Sequence, residues 1–111
     1  MIYISGGITG IEKFEKVFEE AEKKLKNKYP NEKIINPVAI SKEVEKKIQN
    51  PSYTDYMNED IKILLECDTV FMLRGWERSK GASLEHHIAV VLEKNIIYQK
   101  QESVFEKMKL F

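Results

Sequence analysis

Apolar residues recur along this chain with two alternating periods, one suited to strands and one to helices. Ile2-Tyr3-Ile4 is a short β-rich run stopped by Ser5-Gly6-Gly7, which predicts a strand feeding a glycine turn. From Ile11 to Lys28 the spacing becomes helical, with Ile11, Phe14, Phe18, Ala21 and Leu25 three or four apart. The other faces of this segment carry acid-to-lysine pairs such as Glu19 with Lys23 and Glu22 with Lys26. Tyr29-Pro30-Asn31 ends it. Residues 33–36 predict a second short strand, closed by Pro37, and Ile40 to Gln49 a weaker helix with Val44 and Ile48 inward. A third helix is expected from about Ser52 to Glu66, opened by the capping pattern Ser52-x-x-Asp55. Residues 69–73 form the most apolar run and predict a strand buried on both faces. A polar loop from Arg74 to Lys80 leads to a helix from about Ala82 to Lys94 and a strand at residues 95–98. Ser103 to Phe111 closes the chain as a helix or tail.

Short apolar strands alternating with helices mean parallel strands joined by right-handed crossovers. The expectation is an α/β fold: an open parallel sheet of four or five strands with helices on both faces. With 111 residues it forms one domain, 1–111, because two cores would leave each half too small. Ligands of such sheets bind beyond the carboxyl ends of the strands, where neighbouring crossovers part. That rule selects the loops Ser5 to Gly10 and Arg74 to Gly81, which hold all 5 glycines of the chain. Ser5, Gly6, Gly7 and Gly81 are thereby candidate ligand-binding positions; ordinary turn chemistry is the competing explanation for any one glycine.

Charge and composition narrow the functions. There are 18 Lys+Arg against 18 Asp+Glu, so no excess of positive charge suits a nucleic-acid polymer. Apolar runs never exceed a few residues, which excludes a membrane-spanning helix. One cysteine, Cys67, forms no internal disulfide, and 2 histidines supply too few soft ligands for zinc. A cytoplasmic protein without a bound metal is expected.

Two carboxylates stand out of place. On a helical wheel Ile63, Tyr56, Cys67, Leu64, Met57, Ile61 and Leu65 share an apolar arc of roughly 200°. Asp60 falls inside that arc, while Glu59, Lys62 and Glu66 lie opposite. In the helix after Gly81 the apolar face is Leu84, Ile88, Val91 and Leu92, and Glu85 lies beside it. A buried carboxylate must be hydrogen-bonded, paired or functional. Asp60 is therefore either a satisfied core aspartate or a working group, and Glu85 either a first-turn glutamate favoured by the helix dipole or a working group. Both flank the most buried strand, so one pocket can hold both. Trp76 either stacks on a planar ligand or closes the core edge. His86 and His87 fall on the polar side, Glu77 and Arg78 read as a solvated loop edge, and Cys67 as a small core residue. No P-loop, dinucleotide-binding or serine-esterase motif is present.

Several of these segments together resemble nucleoside 2-deoxyribosyltransferase-like proteins. They are Ile2-Tyr3-Ile4-Ser5-Gly6, Tyr56-Met57-Asn58-Glu59-Asp60-Ile61, Cys67-Asp68, and Gly75-Trp76-Glu77-Arg78-Ser79-Lys80-Gly81-Ala82 followed by Glu85. The similarity runs from Ile2 to about Tyr98 and is greatest to small bacterial and phage members of unassigned function. It implies a flavodoxin-like sheet and cleavage or transfer at the N-glycosidic bond of a (deoxy)nucleoside or nucleotide. It implies Glu85 as nucleophile, Asp60 as the acid that handles the base, and Tyr3 as the residue orienting the nucleophile. Ser79 would bind a 5′-phosphate, and a neighbouring subunit would complete each site. No cofactor is implied. Where the relatives carry glycine shortly after the nucleophile this chain has His86-His87, which crowds the sugar pocket or changes its polarity.

The implied chemistry suits the wheel. Breaking an N-glycosidic bond builds positive charge on the sugar, which a carboxylate stabilises and then captures as a glycosyl ester. A second carboxyl protonates the departing base and needs a raised pKa, which burial near Leu64 and Cys67 favours. Two other classes stay open: binding of a nucleotide or nucleotide-derived signal without turnover, and a structural module in which Glu85 and Asp60 lie apart. The apolar tail residues Val104, Phe105, Met108, Leu110 and Phe111 serve either a homo-oligomer interface or the underside of their own sheet.

Overall fold

Local signals start and stop the elements of the computed structural model, which describes residues 1–8 and 13–100. Strand β1 (Ile2–Ser5) is followed by helix α1 (Phe14–Lys28), strand β2 (Ile34–Ile35) and helix α2 (Pro37–Lys47). Helix α3 (Tyr53–Glu66), strand β3 (Thr69–Met72), helix α4 (Lys80–Val91) and strand β4 (Asn95–Tyr98) complete the order. A single 3-10 turn, Trp76–Arg78, lies between β3 and α4. Helix α2 begins earlier than its apolar spacing suggests, because Asn36 accepts from the Val38 amide and Pro37 sits where a missing amide costs nothing. Ile48, expected inward, follows the helix as its extended C-cap residue and is exposed. Ser52 and Asp55 form the reciprocal capping box that opens α3. Ser79 caps α4, which starts at Lys80 and ends at Val91, before Glu93 takes a left-handed φ of 55°.

The sheet is parallel throughout and ordered β2-β1-β3-β4. That is the arrangement of the first four strands in flavodoxin-like folds. Tyr3 pairs in register with Ile35 on one side and Val70 on the other. Alternation along the strands divides the core in two. Ile2, Ile4 and Ile34 pack with Phe18, Ala21 and Leu25 of α1. Tyr3, Val70 and Met72 face the opposite way, onto Ile40 and Val44 of α2, Leu64 of α3, and Ala82 and Ala89 of α4. Side chains such as Phe18 and Leu64, each fully buried, contribute about 1.5–3 kcal/mol apiece by burial. Cys67 belongs to this core, as its small apolar character suggests.

Helix α4 departs from its wheel. Leu84, Val91 and Leu92, expected against the sheet, are exposed, and the buried stripe is Ala82, Glu85 and Ala89. Only methyl groups flank Glu85 on that stripe; Leu84, Val91 and Leu92 turn outward, while Ile88, assigned to the same apolar face, packs partly buried against the core. Leu65 of α3 likewise lies outside the arc assigned to it and is exposed. Ile11, Gly10 and the tail residues Val104, Phe105, Met108, Leu110 and Phe111 lie outside the described residues. Among the described residues no helix is long and apolar enough to cross a membrane.

Candidate functional site

The connection leaving β1 runs toward β2, and the one leaving β3 runs the other way, toward β4. Their carboxyl ends are adjacent, which creates the crevice where doubly wound sheets bind ligands. A cavity of about 1060 Å³ opens there. Tyr3, Gly6 and Gly7 line it from the β1 side, Asp60 from α3, and Ser79, Gly81 and Glu85 from the β3 side.

Glu85 is anchored by the strand pleat. Tyr3 and Ser5, two apart on β1, project to the same face and reach across to α4. The Tyr3 hydroxyl donates to Glu85 Oε2 at 2.6 Å, and the Ser5 hydroxyl donates to Oε1 at 2.7 Å. Each carboxylate oxygen is thus held by its own neutral donor, and the side chain is 5% exposed. Burial pushes the Glu85 carboxyl above its ordinary range, and the two hydrogen bonds pull the other way. Tyr3 is raised well above the usual phenol value by burial and then by the Glu85 charge, so it stays a proton donor. Glu85 is no solvated first-turn glutamate.

Asp60 meets the same cavity from α3. It is 8% exposed, and its buried Oδ1 has no hydrogen-bond partner among the described residues. Burial, then the Glu85 charge, then Glu59 raise its pKa from 3.8 to about 7. A core aspartate kept for packing would be satisfied by a loop amide. Asp60 instead leaves an acceptor open, and near neutrality it exchanges a proton.

In the loop after β3, Gly75 takes a φ of 83°, which side chains disfavour. In the first turn of α4, a Cβ on Gly81 would stand 2.8 Å from the Tyr53 hydroxyl and 3.3 Å from Met57 Sδ, so glycine lets these two α3 side chains lie against α4 without shifting. Ser79 Oγ accepts from the Ala82 amide at 3.2 Å and faces the cavity at the amino end of α4, beside Arg78 and Lys80.

Trp76 does not line the cavity. Its ring stacks on His86 at 4.1 Å between centroids, and His86 Nε2 hydrogen-bonds the Tyr98 hydroxyl at 2.7 Å. This aromatic group draws His86 away from the crevice. His87 is exposed. Neither histidine crowds the pocket next to Glu85. Tyr53, and Ser41, Lys42 and Glu45 on α2, line the cavity with no linear pattern to mark them, and Tyr56 and Met57 of the apolar arc line it too. Their signal is tertiary: α2 meets α3 on the ligand side. Among the described residues no three His, Cys, Asp or Glu side chains gather as metal ligands would.

Residues 1–98 match the family described as a domain of unknown function, DUF4406. The chain belongs to that family. Neither curated proteins nor solved structures give a match. The DUF4406 match takes in all four strands and every residue of the crevice, so Tyr3, Asp60 and Glu85 are parts of the domain itself.

Proposed function

We propose that this DUF4406 protein is a nucleoside 2-deoxyribosyltransferase-like enzyme that cleaves or exchanges the base of a (deoxy)nucleoside or nucleotide. One observation carries the reading: a carboxylate held at both oxygens and a carboxylic acid poised near pH 7 share one cavity. Glu85 attacks the anomeric carbon, forming a C–O bond as the C–N bond breaks and its electron pair leaves with the base. Asp60 gives its proton to that base. Water then attacks the same carbon, Asp60 takes the water's proton, and the Glu85 carboxylate departs; two inversions give net retention. In transfer, a second base replaces water. Ser79, with Arg78 and Lys80 at the amino end of α4, suits an anionic 5′-phosphate.

A homo-oligomer belongs to the same proposal. Leu65 on α3 and Leu84, Val90, Val91 and Leu92 on and just after α4 are large aliphatic side chains left exposed, which a second copy of the chain would cover.

The test is release of free base from a panel of nucleosides and nucleotides, read by chromatography for wild type and Glu85→Gln. Wild type should release base, and Glu85→Gln should lose at least about a thousandfold in rate while remaining folded. Binding without release in wild type would instead favour a protein that sequesters nucleotides. Equal turnover by both proteins would remove Glu85 from the chemistry.

A further inference from the structure

The cavity continues well past the two carboxylates. Its lining takes in Glu85 on α4, Asp60 on α3, Tyr56 one turn earlier on the same helix, and Ser41, Lys42 and Glu45 on α2, so the turn of α3 sets an order from Asp60 to Tyr56 and on to α2. The Tyr56 hydroxyl donates to Glu45 Oε2 at 2.9 Å. Glu45 is exposed where it lines the cavity; Tyr56 orients it through Oε2, and Oε1 has no protein partner among the described residues. Phe14 and Val38 add apolar surface to the cavity lining.

The order of groups fixes how a substrate lies. The anomeric carbon must meet Glu85, and the atom Asp60 protonates belongs to the base. The base therefore extends from Asp60 toward Tyr56 and Glu45, away from the amino end of α4. Its far edge, opposite the glycosidic nitrogen, is what Glu45 meets. At that edge cytosine and adenine carry an amino group, whereas uracil, thymine and hypoxanthine carry a keto oxygen. A carboxylate accepts from the amino group and repels the keto lone pairs. Lys42, one turn before Glu45, supplies a donor for the acceptor ring nitrogen beside that amino group.

We infer that Glu45, positioned by Tyr56, reads the far edge of the base and selects bases with an amino group there. This rests on the proposed N-glycosidic chemistry for the direction in which the substrate lies.

The experiment compares deoxycytidine and deoxyuridine 5′-monophosphates, which differ only at that edge. Base release is measured as kcat/KM for wild type, Glu45→Gln and Tyr56→Phe. Binding is measured by calorimetry on Glu85→Gln, with and without Glu45→Gln. Wild type should favour the cytosine nucleotide by about tenfold or more, the scale of one hydrogen bond to a charged group. Glu45→Gln should cut the ratio to about threefold or less, because a carboxamide turns to offer either donor or acceptor. Tyr56→Phe should give an intermediate ratio by freeing the carboxylate. Turnover with a ratio near one, or a ratio unmoved by Glu45→Gln, overturns the assignment while leaving the glycosidic chemistry intact. If no nucleotide is turned over yet the calorimetric ratio follows Glu45, the subsite stands and the chemistry fails. Absence of binding to both nucleotides overturns it as well.

Discussion

Replacing Asp60 by asparagine should make the protein more stable and less active, and the gain in stability should grow with pH. Asp60 is buried, its Oδ1 lacks a partner among the described residues, and its pKa is raised from 3.8 to about 7. The folded protein therefore binds this proton more tightly than the unfolded chain does. The group's contribution is fully present below pH 3.8 and is lost as pH rises through about 7. Each pH unit between those values is worth about 1.4 kcal/mol, so the ionised group costs the fold about 4 kcal/mol at alkaline pH. Asparagine keeps the shape and never ionises. Urea unfolding of both proteins at pH 5 and pH 9 measures the difference directly. Part of the cost is already present at pH 5, so the advantage of Asp60→Asn should widen by about 2–3 kcal/mol between the two conditions. An advantage that stays constant with pH would show that Asp60 is not a desolvated acid, and the assignment of the proton donor would fall with it.

The same pKa sets a limit on catalysis: base release should fall about tenfold per pH unit above about 7, as Asp60 loses its proton, and a flat profile to pH 9 would exclude it as the acid. Tyr3→Phe removes one of two donors to Glu85, so the acidic limb of the same profile should move to higher pH and the rate should drop by about tenfold or more. Light scattering after size exclusion should report a homo-oligomer, and Leu84→Glu with Val91→Glu should convert it to a 13.0 kDa species; a wild-type monomer would refute the assembly.

The apolar runs at β1 and β3 located the central strands, and the break in periodicity at Asp60 and Glu85 located both carboxylates. Those features are local, so a linear pattern carries them. The orientation of α4 is not local. Its apolar residues surround most of the helix, and a wheel cannot tell which side meets the sheet. Large Leu84, Val91 and Leu92 suggest one side, whereas Ala82 and Ala89 prevail because they admit closer contact. The aromatic group of Trp76, His86 and Tyr98 was hidden for a similar reason, since Tyr98 arrives only through the pairing of β4 with β3. Tyr56 and Glu45 meet across two helices, a contact that neither helix announces alone.

The close approach of α4 also explains how a carboxylate can be buried there. Ala82 and Ala89 lie one turn to either side of Glu85 on the buried stripe, so nothing bulky holds its backbone away from β1. At that separation the carboxylate reaches Tyr3 and Ser5, whose positions are fixed by a fully buried strand paired on both sides. The hydroxyls replace water around the charge without neutralising it, because neither donor carries a positive charge. An arginine or lysine in their place would stabilise the fold more and tie the carboxylate into an ion pair, dulling it as a nucleophile. Asp60 lies on the other side of the cavity, its Oδ1 without a partner among the described residues, and burial and then the Glu85 charge raise its pKa to about 7. The two acids thus sit in different surroundings: hydrogen bonds from Tyr3 and Ser5 favour the charged form of Glu85 against its burial, whereas burial and then the Glu85 charge favour the protonated form of Asp60, the pattern that the proposed nucleophile and acid require.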